Sequence, residues 1–344
     1  MGLLKEKYGR KKIFITSSDN TGCGGFRTYF PYKFLQPNFD WIEHSYGFPQ
    51  NHPNIMEADI IWVQRATHES FPEMFAQLQK LGKKIIYDLD DTLWDIPATN
   101  LSHRYYPRKE LRKVEAVMRS CDCLTTSTVP LQEFLQKKVD TPVFILPNHV
   151  WHQEFGEKPK NEKIKIGWAG SYTHNGDFDH YLVDVLRNLP TDKVEFHTFG
   201  FNPQYLKPFS KFTEWIEFEK YHDAFMEMNW DIGIIVANNN MFNKCKSNIK
   251  YFEYSQMKCV SIASSTYPYV NTIEHGVDGF LIDNIKTDWK THIYRMIEDE
   301  PYRLEIANKA YDKVASKYTW ESQRDVIEQR YLDIFDYLFE GKEP

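Results

Sequence analysis

Three short runs in this chain combine glycines, cations and hydroxyls at spacings suited to holding phosphate. The first is Thr21-Gly-Cys-Gly-Gly-Phe-Arg27, which joins an apolar run, Lys12–Ser17, that reads as a strand to Gly25–Gln36, which reads as a helix. Glycines let a backbone come close to a ligand, and a helix start offers free N–H groups and the positive end of its dipole. An arginine adds a two-pronged donor for phosphate. Gly24 and Gly25 are therefore assigned to the ligand and Arg27 to the charge that develops on it. The spacing of Gly22, Gly24 and Gly25 matches neither the dinucleotide fingerprint nor the P-loop, and a tight turn with a surface arginine has the same composition. The second run, Ile164-Lys-Ile-Gly-Trp-Ala-Gly-Ser-Tyr-Thr-His174, again passes from a strand into a polar turn, with Gly170 and Ser171 placed for phosphate and His174 as a further donor to it. The third is Lys244-Cys-Lys-Ser-Asn-Ile-Lys-Tyr-Phe-Glu253. Ser247 or Asn248 is placed to cap a helix, Lys246 sits beside its free N–H groups, and the three together suit a diphosphate. Glu253 follows within two turns, where a carboxylate can accept from two ribose hydroxyls. A capped surface helix with a solvated Lys and Glu would read the same way.

A fourth run is acidic: Ile85-Ile-Tyr-Asp-Leu-Asp-Asp-Thr-Leu-Trp94. It resembles the first motif of haloacid-dehalogenase-type phosphatases, which implies Asp88 as nucleophile, Asp90 as acid/base and a bridging magnesium. The motif lies on the fourth strand of the chain, whereas that family begins its core with it, and no second metal-binding Asp pair follows at a strand end. Alternatively Asp90 or Asp91 orients an acceptor hydroxyl or a sugar. Downstream, Arg104, Arg108, Lys109, Arg112 and Lys113 form a cationic cluster that either follows a phosphate backbone or is a solvated helix face.

The elements that must carry these residues alternate along the chain. Strands are expected at 12–17, 41–42, 59–64, 84–88, 123–127 and 143–146, with helices at 72–81, 108–119 and 131–138. Nearly continuous apolar strands between helices indicate a parallel sheet covered on both faces. A polar stretch, Glu154–Lys163, then interrupts the pattern and reads as a linker. The alternation restarts with strands at 164–168, 194–199, 231–236, 259–263 and 280–282, and helices at 179–189, 248–257, 289–298, 302–318 and 321–338. Two doubly wound halves in tandem place ligand sites at the carboxyl ends of their strands, and facing halves make a cleft.

The 344 residues suit two domains. The net charge of −6 argues against a protein held to nucleic acid by general basicity and restricts any polyanion-binding surface to a local one. No apolar stretch approaches the length of a membrane span, so no integral membrane association is expected, and the charged N-terminal stretch lacks the apolar run of a signal peptide. The expected location is cytoplasmic. The five cysteines are odd in number with no Cys-x-x-Cys pair, which points to reduced, buried thiols.

The stretch from Lys246 through Ser261-Ile-Ala-Ser264 to Ile273-Glu-His-Gly-Val-Asp-Gly-Phe-Leu281 resembles the donor half of GT-B glycosyltransferases, family 4 in particular. The Gly-Trp-x-Gly-Ser run with His174 resembles the opening of that half in a subgroup that includes bacteriophage enzymes, and Gly-Phe-Arg with Pro31 resembles the opening of the acceptor half. The resemblance implies an α/β, GT-B fold: two facing Rossmann-like halves, residues 1–155 for the acceptor and 164–320 for the donor, joined by a linker at 156–163, with a C-terminal helix in 321–344 crossing back. It implies transfer from a nucleoside-diphosphate sugar, with retention of configuration and without a metal or other cofactor. Glu253 would hold the ribose, and Lys246, Ser247, Asn248, Gly170 and Ser171 the diphosphate. The family often carries a second acidic residue eight positions before the ribose glutamate; Cys245 stands there. The implied acceptor is either a hydroxymethylated pyrimidine in DNA or an envelope saccharide, contacted by Arg104, Arg108 and Trp94. A GT-B relative that binds sugar nucleotides without turnover is the remaining alternative.

Overall fold

In a computed structural model, residues 2–47 and 53–342 are described. Two six-stranded sheets form, and every strand pairing in both is parallel. The first contains β1 (Lys12–Ser17), β2 (Trp41–Tyr46), β3 (Ile60–Gln64), β4 (Lys84–Asp88), β5 (Cys123–Thr126) and β6 (Val143–Ile145), in the order β2-β1-β3-β4-β5-β6. The second contains β7 (Ile164–Gly170), β8 (Val194–Gly200), β9 (Lys211–Glu214), β10 (Ile232–Ile235), β11 (Val260–Ser264) and β12 (Phe280–Ile282), in the order β12-β11-β10-β7-β8-β9. Central strands β3, β10 and β11 are buried along their whole length, as a sheet covered on both faces requires.

Each sheet has one point where the strand order reverses: between β1 and β3 in the first, and between β7 and β10 in the second. Ligands in such sheets bind beyond the carboxyl ends of the strands flanking the reversal. Here those ends are followed by Asp19–Arg27 and Arg65 in one half, and by Gly170–His174 and Ala237 in the other, and residues of all four segments line one cleft.

The C-terminal helix, Arg324–Glu340, crosses back onto the first half. Ile327, Tyr331, Ile334, Phe335 and Leu338 share a core with Ile13, Ile15, Phe34 and the N-terminal helix Leu3–Tyr8. Phe335 is fully buried and meets Tyr8 and Phe39 edge-on at 5.6 and 5.9 Å. Phe335→Ala is expected to cost about 3–5 kcal/mol, read as a lower urea midpoint, because the crossing helix cannot collapse into the hole without leaving the sheet.

Several boundaries differ from expectation. The helix expected at Gly25–Gln36 begins at Gly22 and contains one π turn, Gly25–Tyr29, before Phe30–Leu35. Strand β9 was not expected, since Lys211 and Phe212 are exposed at a sheet edge and leave no apolar run. Nor were the helices Leu3–Tyr8, Pro53–Glu57, Phe218–Glu227 and Met241–Lys244. Four of the five cysteines are buried, Cys23 is half-buried, and all are free thiols. Among the described residues no helix is long and apolar enough to cross a membrane.

Candidate functional site

The cleft between the two sheets encloses about 580 Å³, a volume ordinary for a small-molecule site. Its second-half wall is built on the helix Ile249–Gln256. Asn248 stands at the cap position but its side chain makes no cap bond; it donates instead to Thr272 Oγ1 at 2.8 Å. The expected Asn248 cap is therefore absent, and the helix start keeps its N–H groups free of a side-chain partner. Lys246 and Lys250 flank that start, and both line the cleft. Burial pulls the Lys250 ammonium down to about 8, since Asp177 only partly offsets the loss of solvent and Lys246 opposes it.

Glu253 lies on the same face of this helix one turn beyond Ile249, and is 5 % exposed. Burial pushes its carboxyl up to about 7, opposed by a hydrogen bond from the Tyr221 phenol and by Lys250. The sequence did not single out Tyr221, although Phe218, Tyr221 and Phe225 form an apolar stripe at helical spacing. Trp215 stacks on Tyr221 with ring centres 5.3 Å apart and is 37 % exposed toward the cleft.

Gly170, Ser171 and His174 reach the cleft together. A side chain on Gly170 would strike the Trp168 ring. His174 Nδ1 lies 2.6 Å from Asp177 Oδ2, which as a carboxylate can only accept, so the ring proton sits on Nδ1 and Nε2 is left bare. Burial, aided by Lys250 and Lys246, holds the imidazole down at about 4. At neutral pH His174 is thus neutral with its one proton engaged by Asp177, so Nε2 is placed to accept, which differs from its expected role as a phosphate donor.

The first-half wall carries Asp90 and Asp91 just beyond β4. Arg65, at the end of β3, faces both: its Nη2 is 3.4 Å from Asp91 Oδ2 and its Nε is 4.0 Å from Asp90 Oδ1. Lys246 reaches across from the second half to within 3.7 Å of Asp91 Oδ2. Sequence reasoning missed Arg65 because no motif surrounds it; only its place at the end of a strand beside the order reversal marks it.

Arg27 borders the cleft as expected, but its donors are not free. It is 4 % exposed, and its guanidinium is consumed: Nε and Nη2 donate to Asp88 at 3.0 and 2.6 Å, and Nη1 donates to Leu146 O and Asn148 Oδ1. Thr125 Oγ1 donates to Asp88 at 2.6 Å. Arg27 therefore has no fork left for a phosphate, and Asp88, fully buried, has no face for a phosphoryl group. The phosphatase alternative fails on this geometry. The pair instead steadies Asn148, whose amide donates to Ser247 Oγ at 2.9 Å across the halves.

Gly24 and Gly25 do not line the cleft; Gly22 and Cys23 do. A side chain on Gly24 would meet Asp19 O and Ser17 Oγ, and one on Gly25 would enter the Phe218 ring of the second half. Their smallness serves close packing. Cys245 is fully buried, joins the first-half core and accepts from Thr128 Oγ1 at 2.9 Å through its carbonyl, so this position joins the halves. Trp94 turns away from the cleft: it packs on Phe134 and donates to Glu115 at 3.1 Å. It is not among the residues lining the cleft, where an acceptor contact was expected of it. Arg104 and Arg108 are exposed; Arg104 belongs to the turn Leu101–Tyr105, which meets the turn Tyr172–His174 of the other half at the cleft rim.

No family model and no curated protein sequence matches this chain. Solved structures match it along nearly its whole length. HepE of Anabaena in complex with UDP-glucose has a TM-score of 0.64 at 14 % identity, covering 95 % of this chain and 99 % of its own. Sucrose-phosphate synthase from Thermosynechococcus elongatus has a TM-score of 0.67 at 12 % identity, covering 96 % of this chain and 100 % of its own. A Listeria monocytogenes protein provisionally assigned as a UDP-N-acetylglucosamine 2-epimerase has a TM-score of 0.56 at 12 % identity, covering 96 % and 98 %. At such identities the likeness is one of fold, and the fold is GT-B.

Proposed function

We propose that this GT-B chain transfers a sugar from a nucleoside-diphosphate sugar to an acceptor hydroxyl, with the nucleotide on the second half. The observation that carries the proposal is the wall built on one helix: a buried Glu253 carboxylate within two turns of an uncapped start flanked by Lys246 and Lys250. A ribose satisfies the carboxylate and a diphosphate satisfies the cations and free N–H groups. In transfer, the bond from the sugar C1 to the diphosphate oxygen breaks with its electron pair going to the diphosphate. The acceptor oxygen bonds to C1, and its proton leaves to a carboxylate or to the departing phosphate. Lys246, Lys250 and the helix start hold the leaving charge without a metal, and Asp90 and Asp91 face the acceptor.

The finer reading is a uridine donor, a retaining reaction and a cytoplasmic enzyme, supported by the family resemblance and by the UDP ligands of the HepE structures. The acceptor is a hydroxymethylated pyrimidine in DNA or an envelope saccharide. Arg104 and Arg108 at the rim stand where either would approach.

A thermal-shift panel of nucleoside diphosphates and their sugars, with and without magnesium, tests the donor. One base is expected to stabilise the protein equally with and without the metal, since a ligand of the native state raises apparent stability. Silence toward every nucleotide would remove the proposal. Product analysis with hydroxymethylated DNA, saccharides and water then separates transfer from epimerisation and from binding without turnover. Asp90→Asn and Asp91→Asn are each expected to lower turnover about 100-fold while leaving the nucleotide shift intact. Unchanged turnover in both would take these carboxylates out of the reaction.

A further inference from the structure

The first half holds two arginine–aspartate groupings, and they differ in kind. Arg27 and Asp88 are sealed: both are buried, two hydrogen bonds of 3.0 and 2.6 Å join them, and the remaining donors reach a carbonyl and an amide. Such a pair is structure. Arg65 is loose. It opens on the cleft, and its nearest carboxylate oxygens are 3.4 and 4.0 Å away. Its Nε and Asp90 Oδ1 are buried, and neither has a hydrogen-bond partner. Its third neighbour is only a thiol, Cys23 Sγ at 3.5 Å. One long hydrogen bond to Asp91, a weak one to the thiol and the charges themselves tie this grouping together.

The backbone adds a second observation. Arg65 has φ +57°, in the left-handed region that a residue with a side chain rarely adopts. Its N–H donates to Asp88 O at 2.9 Å, the last bond to the neighbouring strand, and the chain then turns about Arg65, closed by Ala66 N–H donating to Gln64 O at 2.6 Å. Strain of this kind persists where the surroundings over-determine it, and it clusters at functional sites. A glycine would fill the turn without strain, yet an arginine stands there and sends its guanidinium between two cleft carboxylates.

A third observation is the order of charges along the cleft floor: Asp90, Arg65, Asp91, Lys246. The first three belong to the first half and Lys246 to the second. When a diphosphate engages Lys246, Asp91 loses that cation and Arg65 becomes its sole close counter-charge among the described residues. The other groups facing this cluster are the Cys23 thiol, the Tyr106 phenol and Asp19, none of them cationic.

We infer that Arg65 is a positioning residue of the transfer step, which holds Asp90 and Asp91 in place toward the reacting sugar and its acceptor once the donor has drawn Lys246 away. This rests on the functional reading above. It requires Arg65 to govern turnover rather than donor affinity, because Arg65 touches the carboxylates and not the nucleotide wall.

The test compares wild type with Arg65→Gly and Arg65→Lys. Glycine relieves the backbone, so the first variant folds without strain at this turn. Lysine keeps a charge that meets one carboxylate at a time. Three readouts are taken: the thermal shift with UDP, and kcat and KM for UDP-glucose, with water or the identified hydroxyl as acceptor. Arg65→Gly is expected to keep the UDP shift, to keep KM within about twofold and to lose at least tenfold in kcat, an effect in the range of a misplaced catalytic group. Arg65→Lys is expected to recover part of kcat, and millimolar guanidinium added to Arg65→Gly to recover part as well. Wild-type kcat in Arg65→Gly, or a loss confined to KM, overturns the inference while leaving the donor site standing. A wild-type protein that neither binds UDP nor turns over its sugars overturns the functional reading and this inference with it.

Discussion

Glu253→Gln is expected to melt at a higher temperature than wild type at pH 8 and to lose its response to UDP. Both effects come from one buried carboxyl. Its folded value of about 7 lies above the ordinary 4.5, because burial disfavours the charge. Between those two values the folded protein holds a proton that the unfolded chain releases, so stability falls as pH rises through this window. Above pH 7 the full cost is present, about 3 kcal/mol at most from the size of the shift. Glutamine has the same shape, still meets Tyr221 and carries no charge to bury. The stability advantage is therefore expected at pH 8 and absent at pH 4. Ribose hydroxyls favour the ionised carboxyl, so nucleotide binding releases a proton below about pH 7 and tightens as pH rises toward it. Loss of hydrogen bonds to a charged acceptor is worth about 1.5–3 kcal/mol, an affinity loss of roughly 10- to 100-fold. Melting curves at pH 4 and 8, with and without UDP, check both halves. An equal advantage at the two pH values would refute the buried-charge account, and an undiminished UDP shift would refute the ribose assignment.

Arg27→Met is expected to destabilise the protein by about 3–5 kcal/mol, the loss typical of leaving a buried charge without its partner. Asp88 would keep its place among Thr125, β3 and β5 with nothing positive beside it. The double substitution Arg27→Met with Asp88→Leu is expected to regain much of the loss, since removing both charges also removes the need to desolvate them. Urea midpoints of the three variants measure this directly. The single variant is also expected to weaken UDP binding modestly, because Arg27 steadies Asn148, which steadies Ser247 beside the helix start. A variant that kept its urea midpoint but lost turnover would restore Arg27 to the catalytic role its sequence context suggested.

The two arginines show where reading the chain succeeds and where it stops. Arg27 sits in a glycine-rich turn after a strand, the setting of a phosphate site, and the turn does border the cleft through Gly22 and Cys23. Helical geometry from Gly22 onward carries Arg27 inward, and no local pattern reveals the aspartate 61 residues away that receives it. Arg65 sits in no motif, and becomes visible only when β3 is placed beside β1 and β4. Trp94 failed for the same reason as Arg27: its neighbours in sequence are acidic cleft residues, but its ring is held by Phe134 and Glu115.

By itself the sequence determined the alternation of strands and helices, the doubling of the α/β unit, the glycine turns at strand ends, and the helix that carries Glu253 with Lys246 just before its start. These follow from apolar periodicity, backbone permissiveness and helical pitch, all of which act over a few residues. Tertiary structure alone decided which cleft arginine keeps its guanidinium from being consumed by buried partners, how deeply Glu253 is buried, that burial beside Lys250 and Lys246 holds His174 neutral, and that Cys245 joins the halves. Those outcomes depend on burial and on charges brought together from distant segments, and Coulomb interactions and desolvation are set by distance in space rather than by separation along the chain.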